Sequence, residues 1–527
     1  MIGSRIPAVR SQALIGLSLF GLSLWLAWEL SGKIVANDFR MLEFGVVGCL
    51  GIAAAITILR NWRTGFYIFF VWMMFEDLFR KYMGNGPLLF FGKDILAALL
   101  YISLLIEIRK GKEKAFRPPF LFFLALFFWL GVLQIFNQNS PSIFFGLLGF
   151  KVYFYYVPMM FAGYALMRSD EDLRKFLAVN LVIAGAVASI GIVQAIVGNS
   201  FMNPAHLDPA LEELGNLNKI TPLSYQLFSL PDSVFVSAGR FGEYLIAAFI
   251  LSLGATAYLL LSTRRNRILA FTVIALLGVA SLLSGSRGVV LWIMISMVVL
   301  SVGFLWGAPW RFRQAHRLLR AIRLSVIFGA LGLGALLVVF PNQAGSRIAF
   351  YTETLLPSSS AYEVTDRTWN YPIQNLMNVF NEPHWVMGDG IGTASLGTQY
   401  VTRLTGIPQP QIWVEEGYGV LIAEMGILAP FLWVLWTAAL LYYSWRIMRQ
   451  LRQTRYFPIA LVIFWFAFLL LYPRTFGTMS TYQDYTCNIL LWIFIGILFR
   501  LPDLAGIGLA PTVISNSTQR TTAGMRN

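Results

Sequence analysis

The chain has 527 residues, 57% of them apolar and 13% charged, with a net charge of +14 and a mean hydropathy of +0.66. A soluble domain carries about a quarter charged residues, so a soluble enzyme, a disordered chain and a fibrous protein are excluded. What remains is an all-α, polytopic helical membrane protein whose excess arginine and lysine serve loops that meet anionic lipid, not nucleic acid.

A helical span needs about 20 apolar residues, which gives about 14 candidates, or 12–14 in all. In chain order they are 12–30, 41–59, 64–79, 89–108, 119–137, 143–167, 174–198, 239–261, 268–283, 287–306, 321–340, 417–443, 456–472 and 485–500. The connections Arg109–Arg117, Ser262–Arg267, Trp310–Arg323 and Arg446–Arg455 are basic, as are the weaker Arg60–Arg63 and Arg168–Lys175. With that span count they share one side with both termini, and Lys/Arg bias makes it the cytoplasmic side. The opposite side receives two long loops, 199–238 and 341–413, rich in proline, glycine and asparagine and too long to be mere connectors. The chain therefore divides into N-terminal spans (1–142), a core of spans (143–340), the large external loop (341–413), C-terminal spans (414–500) and a disordered tail (501–527). Within the large loop, Thr368–Phe380 reads as an amphipathic helix.

Ionisable residues beside membrane spans cost about 2.5–3.5 kcal/mol each on insertion scales and so mark candidate sites. Arg240, Arg287, Arg474, Glu415 and Glu416 fall at external span ends, with Arg367 and Arg403 in the long loop. Guanidinium forks match phosphate oxygens, so a ring of these arginines suits a diphosphate; snorkelling at the interface is the alternative for any one of them. Ser284-Gly285-Ser286-Arg287-Gly288 reads as a tight external turn whose glycines let backbone and arginine approach a ligand. Glu415 and Glu416, just ahead of Tyr418 and of Glu424-Met425-Gly426, are either partly desolvated bases or acids placed for a helix N-terminus.

Other motifs read as structural. Gly388-Asp389-Gly390-Ile391-Gly392 lacks the lysine of a phosphate loop and is expected to be a glycine turn. Asp170-Glu171-Asp172 after Ser169 is a capping-box start, although D-x-D also occurs in metal-dependent sugar transferases. Glu76-Asp77, Arg80-Lys81 and Lys93-Asp94 suggest a charge staple across a helical hairpin. The two cysteines and three histidines lack the spacing of a metal site or disulfide framework, so no metal and no cofactor is expected.

At these motifs the chain resembles the O-antigen ligase and O-antigen/exopolysaccharide polymerase superfamily of bacterial membrane glycosyltransferases. The similarity spans 143–500. It is carried by Gly149–Pro158, Gly185–Gly198, Arg240 before Gly242, Ser286-Arg287-Gly288, Asp366-Arg367 before Trp369, the Gly388/Gly390/Gly392 turn and Glu415–Gly426. The resemblance implies a C-type glycosyltransferase fold in the bacterial inner membrane, with the active site facing the periplasm. It implies a glycan on undecaprenyl diphosphate as donor, a glycan acceptor, and a chain-length regulator as candidate partner protein. Carried over, Arg240 and Arg287 match arginines that engage the lipid diphosphate and Arg367 matches a basic position at the loop helix, so these three are expected to bind the diphosphate. The residues themselves add the expectation that Arg287 and Glu415 or Glu416 are catalytic, with secondary contacts from Arg403, Arg474 and Tyr418. The ligases hold a His-Asn pair where this chain has Glu415 and Glu416, which favours a polysaccharide polymerase over an O-antigen ligase or O-oligosaccharyltransferase. A lipid-linked glycan flippase or exporter is the alternative from another class, and would want repeat symmetry instead of one large external loop.

Overall fold

The computed structural model describes residues 40–84, 86–204, 218–262, 267–307, 312–408, 410, 412 and 414–507. The expected first span 12–30, the centre of the 262–267 loop, Trp310, Trp413 and the expected tail from 508 onward lie outside the described residues. The sequence folds first into α1 (Arg40–Arg60), α2 (Trp62–Met83), α3 (Pro87–Arg109) and α4 (Leu121–Ile135). The expected span 143–167 is broken into α5 (Ile143–Phe154) and α6 (Met159–Leu166), because Pro158 has no N–H to continue the ladder. Then come α7 (Asp170–Val197), a hairpin of β1 (Asn218–Ile220) and β2 (Leu227–Ser229), α8 (Ala238–Ser262), α9 (Arg267–Leu283), α10 (Arg287–Gly307) and α11 (Phe312–Val339). The large loop is itself structured, holding α12 (Pro341–Leu355), α13 (Tyr371–Val379) and α14 (Thr398–Thr405). The expected span 417–443 is interrupted at Gly426, giving α15 (Gly417–Met425) and α16 (Leu428–Gln450). Gly426 sits at φ +79°, and a Cβ there would stand 2.3 Å from the Val386 carbonyl oxygen, so only glycine fits the break. Helices α17 (Phe457–Leu469) and α18 (Tyr485–Leu504) complete the bundle.

Among the described residues, eight helical segments are long and apolar enough to cross a membrane, and shorter apolar helices accompany them at Gly45–Arg60, Leu121–Ile135, Ile268–Leu283 and Gly329–Val339. The chain is an all-α, multi-pass membrane protein. Helix α18 is apolar on every face and buried along most of its length, as a central helix must be. It crosses α6 backbone to backbone: a Cβ on Gly163 would lie 2.2 Å from the Ile493 carbonyl, and one on Gly496 2.0 Å from that of Met160.

Four of the basic connections, those that hold Arg63, Glu113, Arg168 and Arg455, meet at one end of the bundle. Glu113 takes Arg63 at 3.1 Å and Arg168 at 2.6 Å, and Asp170 takes Arg455 at 3.3 Å. Ser169 and Asp172 form the expected reciprocal cap at the start of α7. At the other end, the C-terminus of α2 and the N-termini of α3, α8, α10 and α18 converge beneath the hairpin and the large loop. Arg347 on α12 ties them together, donating to the Leu283 carbonyl at 2.7 Å and the Ser229 carbonyl at 2.8 Å. Glu353 fixes the hairpin turn by accepting from the backbone N–H groups of Leu223 and Ser224 at 2.7 and 3.1 Å.

Candidate active site

Two adjoining cavities open at this second end. The first, a slot of about 700 Å³, runs along α10: Arg287, Arg367 and Arg474 head it, and Leu291, Trp292 and Ile295 continue it down the apolar span. Gly285, at φ +67°, makes the turn that delivers Arg287 as the first residue of α10. Gly288 is helical, so the tight turn uses one glycine and not the expected two. Arg367 sits on a widened helical turn, Asp366–Asn370, that leads into α13. Arg474 sits on another, Leu470–Arg474, widened around Pro473.

The slot has more cations than anions. Glu363 takes Arg287 at 2.7 Å and Arg367 at 3.6 Å, one carboxylate for two guanidinium groups. Lys219 on β1 joins them: its Nζ and the Arg287 guanidinium lie 4.9 and 5.8 Å from the centre of the same Phe350 ring. Burial, reinforced by Arg287, pushes the Lys219 ammonium down to about 8. An anion entering here would relieve that repulsion.

The second cavity, about 490 Å³, is lined by Arg80, Lys93, Lys151, Arg240, Glu243 and Asp484. Its charges balance. Lys93 meets Glu76 at 2.7 Å and Lys151 meets Asp94 at 2.5 Å. Arg80 meets Asp77 at 2.7 Å, while Arg240 spans Asp77 at 2.9 Å and Asp484 at 3.3 Å. The expected staple across the α2–α3 hairpin thus consists of Glu76–Lys93; Lys81 and Asp94 turn elsewhere, to Asp232 and Lys151. Residues Thr393–Thr398 form one wall. That wall is held by the buried Glu424 carboxylate, which accepts from Ser395 Oγ at 2.7 Å and Ala394 N–H at 3.0 Å. The glycine turn behind it is left-handed at Gly388, Gly390 and Gly392.

The sequence-predicted site residues therefore separate. Arg287, Arg367 and Arg474 share the slot, and Arg240 lies in the second cavity with two carboxylates on its guanidinium. Glu415 and Glu416 line neither of these cavities. Glu415 accepts from the Tyr371 phenol at 3.0 Å at the surface. Glu416 caps α15, accepting from the N–H groups of Tyr418 at 2.9 Å and Gly419 at 2.5 Å, and burial pushes its carboxyl up to about 7. Tyr418 is half-buried on α15, and Arg403 is exposed on α14, whose Thr398 and Tyr400 line the second cavity. Sequence reading missed Lys219, Glu243, Glu363 and Asp484. The Arg240/Glu243 spacing, two ionisable residues one turn apart in an apolar span, was the available signal for one of them.

The chain matches no family model, no curated protein and no solved structure.

Proposed function

We propose that the chain is a membrane glycosyltransferase that polymerises undecaprenyl-diphosphate-linked oligosaccharide repeat units at the periplasmic face of a bacterial inner membrane. The observation that carries this reading is the amphipathic slot: arginines in excess over carboxylates at its head, and an apolar wall descending α10. That is the shape and charge of a diphosphate on a lipid chain. Diphosphate is already a good leaving group, so the protein's task is to hold the charge that develops on it, which Arg287 and Arg367 would do in a site partly screened from water. A single displacement by a sugar hydroxyl would invert the anomeric centre.

Polymer synthesis is favoured over ligation because the position where the resembled ligases place histidine holds Glu415, and its neighbour Glu416 is occupied in capping. The test is mass spectrometry of undecaprenyl-diphosphate-linked glycans from the native host and from a deletion strain. Accumulation of single repeat units is expected. Accumulation of long untransferred lipid-linked polymer would assign a ligase, and an unchanged profile would reject the reading. Formation of a glycosidic bond by the purified protein separates it from an exporter.

A further inference from the structure

The slot and the charge-balanced cavity share a partition, and one ion pair crosses it. Arg474 lines the slot, Glu243 lines the second cavity, and the Arg474 Nη2 meets the Glu243 carboxylate between them. The pair is mostly buried, with the Arg474 side chain 12% exposed and that of Glu243 22%. Arg474 Nη2 also reaches Thr481 Oγ1 at 3.3 Å, while its Nε is buried without a hydrogen-bond partner. The unpartnered Nε–H costs free energy, and an acceptor entering the slot would lower that cost.

The two compartments differ in the chemistry they would accept. The slot has a cation excess and an apolar floor. The second cavity has a carboxylate for each of Arg80, Lys93, Lys151 and Arg240, and presents the rings of Phe90, Tyr400 and Tyr485. Balanced charge beside aromatic faces suits an uncharged polyhydroxylated ligand, whose hydroxyls both donate and accept.

We propose that the Arg474–Glu243 pair is where the two substrates meet, with Glu243 accepting the proton of the attacking sugar hydroxyl and Arg474 holding the departing lipid diphosphate. This rests on the glycosyl-transfer reading above. A diphosphate in the slot competes with Glu243 for Arg474 and takes the free Nε, which releases the Glu243 carboxylate toward the second cavity. The acceptor O–H then gives its proton to a Glu243 oxygen as the hydroxyl oxygen bonds to the anomeric carbon. The bond from that carbon to the diphosphate oxygen breaks with its electron pair on the diphosphate, whose charge Arg474, Arg287 and Arg367 hold. Glu243 finally returns its proton to water. With the slot empty, the base stays locked in its ion pair, so activation waits for the donor.

Other carboxylates nearby are committed. One Asp484 oxygen accepts from the N–H groups of Thr486 and Cys487 at 3.0 and 3.1 Å and the other faces Arg240; Asp77 holds two guanidinium groups; Glu363 holds Arg287 and Arg367.

The test uses the purified full-length protein in nanodiscs, with undecaprenyl diphosphate as the binding probe and lipid-linked glycans extracted from the host membrane as substrates. The isosteric Glu243→Gln should bind undecaprenyl diphosphate at least as tightly as wild type, yet lose about 100-fold or more in turnover, the usual scale for a lost general base. Arg474→Gln should weaken binding about tenfold. The double exchange Glu243→Arg with Arg474→Glu should restore the ion pair and the wild-type unfolding temperature without restoring turnover. An active double exchange, or Glu243→Gln within tenfold of wild-type turnover, overturns the inference and leaves the glycosyl-transfer reading standing. A wild-type protein that forms no glycosidic bond overturns that reading itself.

Discussion

Replacing Asp77 by asparagine distinguishes a structural Arg240 from a phosphate-binding one. The Asp77 carboxylate is fully buried and accepts from Arg80 at 2.7 Å, Arg240 at 2.9 Å and the Val236 N–H at 3.3 Å. Asparagine keeps the shape but removes the charge and turns one acceptor into a donor facing two guanidinium groups. Breaking a buried ion pair by neutralising one partner costs about 3–5 kcal/mol. Arg240 retains Asp484 at 3.3 Å and is 22% exposed, so part of its loss is recovered through Asp484 and water. Arg80, 2% exposed at its side chain, keeps its donation to the Tyr400 phenol but loses its carboxylate. The expected cost is therefore near the lower end, about 3 kcal/mol, or a change of roughly 150-fold in the folding equilibrium. Equilibrium unfolding in mixed micelles measures it, with undecaprenyl diphosphate binding measured on the same preparations. A large loss of stability is expected, with the affinity of the remaining folded protein near wild type. Wild-type stability combined with a severalfold gain of affinity, as expected when a phosphate-binding arginine loses its competing carboxylate, would refute it and assign Arg240 to diphosphate binding.

Four further outcomes are expected. Glu363→Gln frees Arg287 and Arg367 and should tighten undecaprenyl diphosphate binding about two- to fivefold at low salt, the gain shrinking as salt is added. Lys219 has a folded-state pKa of about 8, below its ordinary value, so its charge costs stability below pH 8 and the cost fades as pH rises from about 8 toward 10.5. Lys219→Met should then stabilise the empty protein at pH 7 and abolish the fall in diphosphate affinity expected of the wild type as pH rises through 8, both read by pH titration. Glu416 is raised to about 7, so it contributes most below about pH 4.5 and loses that contribution as pH climbs to about 7; Glu416→Gln should flatten this slope in thermal unfolding scans. Gly392→Ala places a Cβ 2.0 Å from the Phe145 carbonyl at φ +93° and should cost at least about 2 kcal/mol, with the cavity wall that follows it displaced and glycan transfer lost.

Local chemistry was readable from the sequence where partners are close along the chain. The Ser169/Asp172 cap, the Gly388–Gly392 turn and the amphipathic Tyr371–Val379 helix all follow from spacing and residue type. Among the described residues the expected spans fall on helices, but their ends shift, as where α11 starts at Phe312 and not 321, and Pro158 and Gly426 each break an otherwise continuous apolar run. The ionic arrangement was not readable, because a guanidinium beside a membrane span looks the same whether it awaits a phosphate or faces a carboxylate. Arg240 finds Asp77 and Asp484, Lys81 finds Asp232, and Lys219 finds Phe350 only once distant helices pack. Glu415 and Glu416 look equivalent as neighbours, yet one lies at the surface and the other is consumed by a helix N-terminus.

The distribution of those charges itself argues for where a ligand binds. Each ionisable group drawn into the apolar bundle is costly, and the cost is offset only by a partner. Around the second cavity each of Arg80, Lys93, Lys151 and Arg240 has a carboxylate partner, supplied across α2, α3, α5, α8 and the segment before α18. Pairing stops at the slot, where Lys219, Arg287 and Arg367 share Glu363 and the Arg474 Nε has no acceptor. A folded chain that balances its charges in one compartment and leaves cations in excess in the adjoining one carries unrelieved repulsion in the second. An anion arriving there would relieve that repulsion, and the apolar wall of α10 beneath would suit an anion that carries a hydrophobic tail.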